Sequence, residues 1–275
     1  MKRTGVILAL ALGLMAQSAV AKTINVVTSF SILGDITRQV GGDHVKVTSL
    51  VGPDGDPHTF EPSAKDSALL NNADVVVVNG LGLEGWLDRL VKASGFKGQL
   101  VIASDGVQTH TLEEDGATVT DPHAWNSAAN GALYAQNILK ALVKADPADE
   151  AALNASGQRY IEQLKEMYSW AKERFSAIPQ AKRKVLTSHD AFGYFARAYG
   201  VEFLAPLRLS LQIQANASQV ASLIKQIKAD GVNVWFMENQ LDPRLVIQIA
   251  NATAAQPGGA PYPDSLCAQA GAADI

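Results

Sequence analysis

The 275-residue sequence predicts an α/β fold of two lobes, each with a mainly parallel sheet flanked by helices, joined by one long backbone helix. Three observations lead to this fold class. Short apolar segments alternate with helix-like segments early in the chain, a long helical stretch without strands follows, and the alternation then resumes. Continuous apolar strands separated by helices indicate parallel sheets covered on both faces. We therefore place the first lobe at 22–148, the linking helix at 149–179 and the second lobe at 180–275.

The first lobe shows the alternation most clearly. Its β-branched and continuous apolar runs predict strands, and segments with helical spacing predict the helices between them. Ser63 stands where a helix N-cap is expected. The predicted elements are, in order, strand 24–28, helix 32–40, strand 45–51, helix 63–71, strand 74–78, helix 86–93 and strand 100–102.

Two helices without intervening strands follow, at 127–144 and about 149–177. The second is longer than the average helix of about 11–12 residues, which suits a bridge between lobes. One apolar stripe runs along it, formed by Tyr160, Leu164, Met167, Ala171 and Phe175. The second lobe is predicted as strand 184–187, helices 191–199 and 218–230, strand 232–237, helix 243–253 and a Gly- and Pro-rich turn at 256–263. A cleft between two lobes is a common place for a ligand.

Residues 1–21 are typical of a cleavable secretory signal peptide. Lys2 and Arg3 precede an apolar run at 5–15, and an Ala-x-Ala site ends at Ala21. The run falls short of the roughly 20 apolar residues that span a bilayer, so export to the periplasm is favoured over a membrane anchor. The only cysteine, Cys267, lies far from the signal, so the mature chain has no N-terminal cysteine for a lipid and no internal disulfide. We expect a soluble mature protein.

Charge and composition argue against one class of binding partner, nucleic acid. The formal net charge is −4, and removal of Lys2 and Arg3 with the signal makes it −6. A mildly acidic chain without a basic cluster is a poor nucleic-acid binder. The content of 47% hydrophobic and 18% charged residues is that of an ordinary globular protein. We expect a monomer that binds no nucleic acid.

Three of the five histidines have an aspartate close by in the sequence. The tripeptide Asp-Pro-His occurs twice, ending at His58 and at His123, and His189 is followed by Asp190. The proline fixes φ near −65° and stiffens the segment that presents the imidazole. We hypothesise that the adjacent aspartate accepts the other ring N–H and so fixes the tautomer of a coordinated histidine.

The placement of these residues adds weight to a metal site. His58 and His123 fall in predicted loops, His189 follows a predicted strand, and Asp264 follows the last turn. Ligands collect at the carboxyl ends of strands in open α/β sheets. Three imidazoles and one carboxylate suit zinc, and also accept manganese or iron. An aspartate near a Pro-Gly turn more often stabilises the turn itself, which is the alternative role for Asp264.

The remaining histidines, His44 and His110, have no such context. A lone histidine is usually a surface residue or a core residue whose hydrogen bonds are satisfied, and we interpret both in that way.

Four stretches together carry a resemblance that covers almost all of the mature chain: GDPHTFEPS at 55–63, NGLGLEGW at 79–86, DPHAW at 121–125 and TSHDAFGYF at 187–195. The chain resembles the zinc and manganese ABC-transporter solute-binding proteins, the metal-binding cluster of extracellular binding proteins. The resemblance implies two α/β lobes on a backbone helix, one divalent metal ion between them, and delivery of that ion to a membrane permease.

The resemblance also implies a ligand set. His58, His123 and His189 match the first three ligands of the family, and Asp264 in the stretch 262–266 looks like the fourth. Manganese-binding relatives often have a carboxylate where His189 stands. The softer imidazole therefore favours Zn²⁺ over Mn²⁺ as the bound ion.

The chain departs from the family pattern in three places. The segment 105–120 lacks the long His-rich loop of many zinc-binding relatives and contains only His110. The segment 207–217, with Arg208, Gln212 and Gln214, lacks the small and acidic residues that the family usually has there. The chain ends at Ile275, where relatives continue into another helix, so we expect a shortened C-terminus that weakens the second lobe and the seating of Asp264.

Two rival functions have some support in the sequence. Gly80, Gly82 and Gly85 form a G-x-G-x-x-G pattern after a predicted strand, and Asp105 follows about 20 residues later, as in a dinucleotide site. Because the following helix is short and free NAD is not expected after export, we interpret the pattern as a turn that presents Trp86. A zinc hydrolase would use three histidines and an open water position, yet neither a His-Glu-x-x-His helix nor a Gly-x-Ser-x-Gly elbow is found. We therefore expect no enzyme.

Overall fold

A computed structural model describes residues 22–114, 116–207 and 216–267. The predicted signal peptide at 1–21 lies outside the described residues. So do Arg208, Gln212 and Gln214 and the last eight residues of the chain, 268–275.

The first lobe contains a four-stranded parallel sheet, as predicted. Its strands are β1 (Ile24–Phe30), β2 (Val45–Val51), β3 (Val75–Val78) and β4 (Gln99–Ile102), in the spatial order β2-β1-β3-β4. Val26 lies between Val47 and Val75, which sets the register at the centre of the sheet. All four valines of β3 are buried because helices cover both faces, which is why the strand has a continuous apolar sequence.

The helices of this lobe divide between the two faces of the sheet. They are α1 (Ser31–Gly41), α2 (Ala64–Asn71), α3 (Leu87–Ser94) and α4 (Ala128–Ala145). The larger core joins α1 and α4 to one face, and a smaller core holds α2 and α3 on the other. The predicted cap at Ser63 is present as a capping box, in which Ser63 and Asp66 satisfy each other's backbone N–H groups.

A short antiparallel hairpin was not predicted from the sequence. It consists of β5 (Thr111–Glu114) and β6 (Ala117–Thr120). Both strands are polar and largely exposed, so they lack the apolar alternation that indicates a strand. The Asp121 N–H continues the pairing by donating to the His110 carbonyl at 3.0 Å. The hairpin thereby brings His110 next to Asp121.

One 27-residue helix, α5 (Glu150–Ser176), packs against the core of the first lobe and against the core of the second. Leu153 and Ile161 belong to the core of the first lobe, whereas Ala171 packs with Tyr199 and Val201 of the second. The predicted stripe is interrupted at Met167, which is 44% exposed, because the helix passes from one core to the other there. This packing supports a linking role for 149–179, and the exact lobe boundaries stay a prediction.

The second lobe repeats the architecture on a smaller scale. Its strands β7 (Lys184–Leu186), β8 (Glu202–Leu204), β9 (Val234–Trp235) and β10 (Gln256–Pro257) form a parallel sheet in the order β10-β9-β7-β8. The helices are α6 (Gly193–Tyr199), α7 (Ala217–Asp230) and α8 (Arg244–Thr253). The predicted strand 232–237 pairs only over its central two residues, and the three-residue β8 was not predicted.

The fold class is therefore confirmed: two lobes with parallel sheets flanked by helices, and one long helix between them. Among the residues that the structure describes, no helix combines the length and the apolar character that crossing a membrane requires.

Candidate metal centre

Four side chains meet at one buried point between the lobes: His58, His123, His189 and Asp264. One ligand atom from each lies within 4.8 Å of the others. His123, His189 and Asp264 are fully buried, and the His58 side chain is 8% exposed. The structure thus brings together all four residues that the sequence predicted for this site.

The fold explains how residues so distant in sequence converge. His58 lies in the loop after β2, and His189 lies just after β7, so both are at carboxyl ends of parallel strands. His123 follows the β5–β6 hairpin and precedes the 3₁₀ turn Ala124–Asn126. Asp264 lies in the loop after β10. Each lobe therefore contributes two groups to the same point.

The spacing of the ligand atoms fits a tetrahedral ion. Metal–ligand bonds of about 2.0–2.2 Å place the ligand atoms of a tetrahedral zinc site roughly 3.3 Å apart. His58 Nε2 lies 3.2 Å from His123 Nε2, and His189 Nε2 lies 3.0 Å from Asp264 Oδ2. Asp264 Oδ2 also lies 3.7 Å from His58 Nε2, and the other oxygen, Oδ1, lies 3.8 Å from His123 Nε2. All four ligand atoms lie within 4.8 Å of one another, so they surround one point at which an ion could be held.

Two buried atoms of the cluster lack a hydrogen bond from the described part of the chain: His189 Nε2 and Asp264 Oδ1. The 3.0 Å contact of His189 Nε2 with Asp264 Oδ2 is an ion pair rather than a well-directed hydrogen bond. A buried polar atom without a partner costs about 1–3 kcal/mol. Both atoms point into the cluster, as expected of groups whose partner is a ligand.

Electrostatics distinguish the members of the cluster. Burial alone would raise the pKa of Asp264, but the neighbouring imidazoles, His189 foremost, hold this pKa well below its ordinary value. Burial alone would lower the pKa of His189, yet Asp264 and Glu238 outweigh it and hold this pKa well above the usual range. For His123 burial prevails over Asp121 and Asp264, so its pKa is lowered. These shifts favour a protonated His189 paired with an ionised Asp264, and a neutral His123.

A second layer of carboxylates orients two of the imidazoles. Asp121 Oδ1 accepts from His123 Nδ1 at 2.7 Å, which agrees with the hypothesis that the aspartate of Asp-Pro-His fixes the histidine tautomer. For His189 this role falls to Glu238, whose Oε2 lies 2.5 Å from Nδ1. Glu238 Oε1 also accepts the backbone N–H groups of Ser188 and His189. Glu238 was not predicted from the sequence, although its position directly after a predicted strand could have indicated it.

For the Asp-Pro-His tripeptide that ends at His58, the hypothesis that the aspartate fixes the tautomer of the histidine is wrong. Asp56 accepts the backbone N–H of His58 at 2.8 Å and the hydroxyl of Thr59 at 2.7 Å. It therefore shapes the loop that presents His58 and does not orient the ring.

The Asp264 loop is fixed to the first lobe at several points. Trp125 Nε1 donates to the Pro263 carbonyl at 2.5 Å, and the Leu266 N–H donates to Ser31 Oγ at 2.9 Å. The Leu266 carbonyl accepts from the Asp54 N–H at 2.9 Å. Asp264 itself accepts from Gln240 Nε2 at 2.8 Å. Gln240 was not predicted from the sequence, because no pattern there indicates it.

The glycine-rich turn at 80–85 stabilises the fold and is not arranged to bind the phosphate of a dinucleotide. Gly80 and Gly82 adopt φ values of 80° and 87°, which favour glycine. The N–H groups of Asn79 and Gly80 donate to the buried carboxylate of Glu84 at 2.7 and 3.0 Å. This carboxylate occupies the amides that a dinucleotide phosphate would need. Trp86 then donates to the carbonyl of Pro57 at 3.4 Å, next to His58, which agrees with our interpretation of the turn.

The two remaining histidines differ from each other. His44 pairs with Asp149 at 2.9 Å on the surface. His110 lies close to the centre: its ring packs on Tyr194 at 4.1 Å, and its Nε2 lies 3.5 Å from Asp121 Oδ2. The interpretation of His110 as an ordinary surface or core residue overlooked this contact, because it depends on the unpredicted hairpin.

Comparison with known families agrees with this geometry. The family model described as the periplasmic zinc-uptake complex component A, ZnuA, matches residues 26–274. The chain belongs to the ZnuA family. The family consists of metal-binding proteins that deliver substrate to ABC transporters, not of enzymes, so the transport interpretation is confirmed over the hydrolase. Its members work outside the cytoplasm, in the periplasm or at the cell surface.

The names of individual relatives of this ZnuA-family chain mention different metals. It is 32% identical to the iron-binding protein YfeA of Yersinia pestis over 92% of this chain and 82% of that protein. It is 34% identical to the manganese ABC transporter substrate-binding lipoprotein PsaA of Streptococcus pneumoniae over 86% of this chain and 79% of the relative.

Solved structures of other proteins have a similar fold. The periplasmic zinc binding protein TroA of Treponema pallidum aligns with a TM-score of 0.83 at 27% identity, covering 91% of each chain. The manganese-bound periplasmic metal binding protein from candidatus liberibacter asiaticus aligns with a TM-score of 0.79 at 29% identity, covering 90% of this chain and 92% of that one. The two-lobe fold is thus shared with proteins of known structure.

Proposed function

We propose that this protein captures one divalent transition-metal ion, in the first place Zn²⁺, on His58, His123, His189 and Asp264 and delivers it to the membrane permease of an ABC transporter. One observation carries the proposal. Three imidazole nitrogens and a carboxylate from both lobes lie within 4.8 Å of one another in a buried pocket.

The chemistry of the ligand set favours zinc. Zinc accepts four-coordinate sites of imidazole and carboxylate, whereas manganese prefers more oxygen ligands and a higher coordination number. Four contacts between these side chains join potential ligand atoms that lie 3.0–3.8 Å apart, which suits ligands around a small ion. With four protein ligands the ion has no open position for a reactive water, as expected of a cargo site.

Manganese and iron are the alternative cargo. The relatives named above include an iron-binding and a manganese-transport protein, and TroA is named for zinc. The carboxylate of Asp264 has a second oxygen that could join the coordination of a larger ion. The ratio of affinities for Zn²⁺ and Mn²⁺ therefore tests the choice of metal.

Capture involves the exchange of a proton for the ion. Asp264 and Glu238 raise the pKa of His189 against the effect of burial, which favours a proton on the ring nitrogen next to Asp264 before an ion binds. Coordination requires the neutral imidazole. Binding at neutral pH therefore releases this proton while Asp264 stays ionised and joins the ion.

Members of the family work outside the cytoplasm. We propose that the signal peptide at 1–21 is cleaved on export and that the mature protein acts in the periplasm as a soluble monomer. Sedimentation of the secreted protein, together with N-terminal sequencing, tests both statements.

Elemental analysis of protein purified without added metal tests the capture itself. We expect one ion per chain in the parent protein and less than about a tenth of that in the double variant His58→Ala/His189→Ala. His44→Ala is the matched control, since His44 pairs with Asp149 on the surface. Equal metal in the parent and the double variant would refute the proposal.

A further inference from the structure

Asp54 connects the loop that carries His58 to the second lobe through its backbone and through its side chain. Its N–H donates to the carbonyl of Leu266 at 2.9 Å. Its Oδ1 accepts from Nδ2 of Asn239 at 2.8 Å, and the orientation of this amide follows from charge, because a carboxylate only accepts hydrogen bonds. We call the contact between the side chains of Asp54 and Asn239 the interlobe clasp.

The backbone of Asp54 has a conformation that few residues adopt. Its φ is 58°, in the left-handed region, which aspartate and asparagine tolerate better than most residues other than glycine. A costly backbone conformation persists only where surrounding contacts stabilise it. The hydrogen bonds to Leu266 and Asn239 are such contacts, so the shape of this loop depends on its attachment to the second lobe.

The clasp joins loops that carry predicted ligands from both lobes. His58 lies in the same loop as Asp54. On the other side, Asn239 Nδ2 also donates to Ser265 Oγ at 3.1 Å, and Ser265 directly follows Asp264. One amide group therefore connects the His58 loop of the first lobe to the Asp264 loop of the second.

The clasp also lies on the side of the site that is nearest to solvent. The His58 side chain is 8% exposed, whereas His123, His189 and Asp264 are fully buried. Asp54 itself is exposed. An ion that leaves the pocket must detach from its ligands, and His58 is the one beside solvent. Movement of the His58 loop away from the second lobe requires that the hydrogen bonds of Asp54 break first.

We propose that Asp54 and Asn239 are positioning residues that hold the His58 loop against the second lobe and so slow the release of the bound ion. Neither side chain touches the ion, and both act through the loop that presents His58. The inference rests on the proposed metal capture at the four-residue cluster.

The rate of zinc release to an excess of the chromophoric chelator pyridylazoresorcinol, measured by stopped flow, tests this role. Asp54→Gly removes the carboxylate and still permits a positive φ, and Asn239→Asp places two carboxylates opposite each other. We expect release from Asp54→Gly to be about tenfold faster than from the parent protein, as for the loss of one hydrogen bond to a charged group. Release from Asn239→Asp should be at least as fast. Each variant should still bind one ion per chain, which shows that it is folded.

An exchange of the two side chains separates the clasp from a general effect on the loop. Asp54→Asn keeps an Oδ1 that can accept from Asn239 and should release zinc at the parent rate. In the double variant Asp54→Asn/Asn239→Asp the donor and the acceptor change places, so release should return from the fast rate of Asn239→Asp to near the parent rate. Independent effects of the two substitutions would multiply instead. Asn233→Asp is the matched control, since it adds the same charge at an exposed position of the second lobe and should leave the rate unchanged.

Amide hydrogen exchange of the metal-free protein gives a second readout that does not depend on zinc. Peptides that cover the Asp54 loop should exchange faster in Asp54→Gly and in Asn239→Asp than in the parent. The reason is that the backbone N–H at this position donates to Leu266 only while the loop is held against the second lobe.

The outcomes separate this inference from the proposed function. A parent protein that binds no zinc refutes metal capture and, with it, the role of the clasp in release. A parent that binds zinc, with equal release rates in Asp54→Gly and Asn239→Asp, leaves capture intact and overturns the clasp. A double variant that releases zinc as fast as Asn239→Asp would also overturn it, and so would unchanged hydrogen exchange in both single variants.

Discussion

Trp125 of the first lobe donates its indole N–H to the carbonyl of Pro263, the residue before Asp264, with a nitrogen–oxygen distance of 2.5 Å. The same indole packs against His123 and Phe30, with ring centroids 5.4 and 4.9 Å apart. One side chain thus contacts a predicted ligand of the first lobe and positions the loop that carries a predicted ligand of the second.

Removal of this hydrogen bond should weaken metal binding. Trp125→Phe keeps an aromatic ring but leaves the Pro263 carbonyl without its donor. We expect the affinity for zinc to fall about tenfold and the free energy of unfolding to fall by about 1–3 kcal/mol, the cost of an unsatisfied buried carbonyl. Competition titration and chemical denaturation measure the two effects. Trp170→Phe is the control, because Trp170 is 60% exposed on α5; an effect of equal size there would contradict the role of Trp125.

Metal affinity should fall as the pH is lowered. The pKa of His189 is raised, against the effect of burial, by Asp264 and Glu238, so near neutral pH the imidazole carries a proton that the ion must displace. Below this pKa each displaced proton lowers the apparent binding constant about tenfold per pH unit. Titrations from pH 7.5 to about 5 measure the slope, and calorimetry in buffers of different ionisation enthalpy counts the released protons. An affinity that does not change across this range would exclude histidine ligation.

The sequence could predict which residues converge but not how they are oriented. His58 and His123 stand in identical Asp-Pro-His tripeptides, yet Asp121 binds the ring of its histidine and Asp56 binds the backbone of its own. The difference arises from tertiary structure, because the β5–β6 hairpin fixes the chain on one side of Asp121. Local sequence does not encode this distinction.

The residue that orients His189 in the second lobe could not be predicted for a related reason. Glu238 is 49 positions from His189, so its contact depends on the pairing of β7 with β9 and on no local motif. The fold class was predictable because strands such as β3 are buried on both faces and are therefore continuously apolar. The hairpin was not, because its exposed polar strands carry no such pattern.

The charge of Glu238 should be needed for the correct tautomer of His189. In Glu238→Gln the amide that replaces Oε2 would donate to Nδ1, which places the remaining ring proton on Nε2 and blocks coordination there. We expect zinc affinity to fall by about 10–100-fold. Glu84→Gln is the control, since Glu84 is a buried carboxylate that accepts two backbone N–H groups away from the imidazoles. An equal loss of affinity in the folded Glu84 variant would show that general destabilisation is the cause.

Gly193 allows His110 to approach Asp121, and a methyl group there should disturb the site. A Cβ at this position would lie 2.4 Å from His110 Cε1 and 2.6 Å from Asp121 Oδ2. Gly193→Ala must therefore displace Asp121 or His110, at a cost of about 1–3 kcal/mol in the free energy of unfolding, as for other overpacked sites. Because Asp121 holds the ring of His123, zinc affinity should also fall. Gly85→Ala is the control, since its Cβ would meet no atom within 4 Å. If Gly193→Ala lowered stability but left zinc affinity at the parent value, Asp121 would not be needed to orient His123.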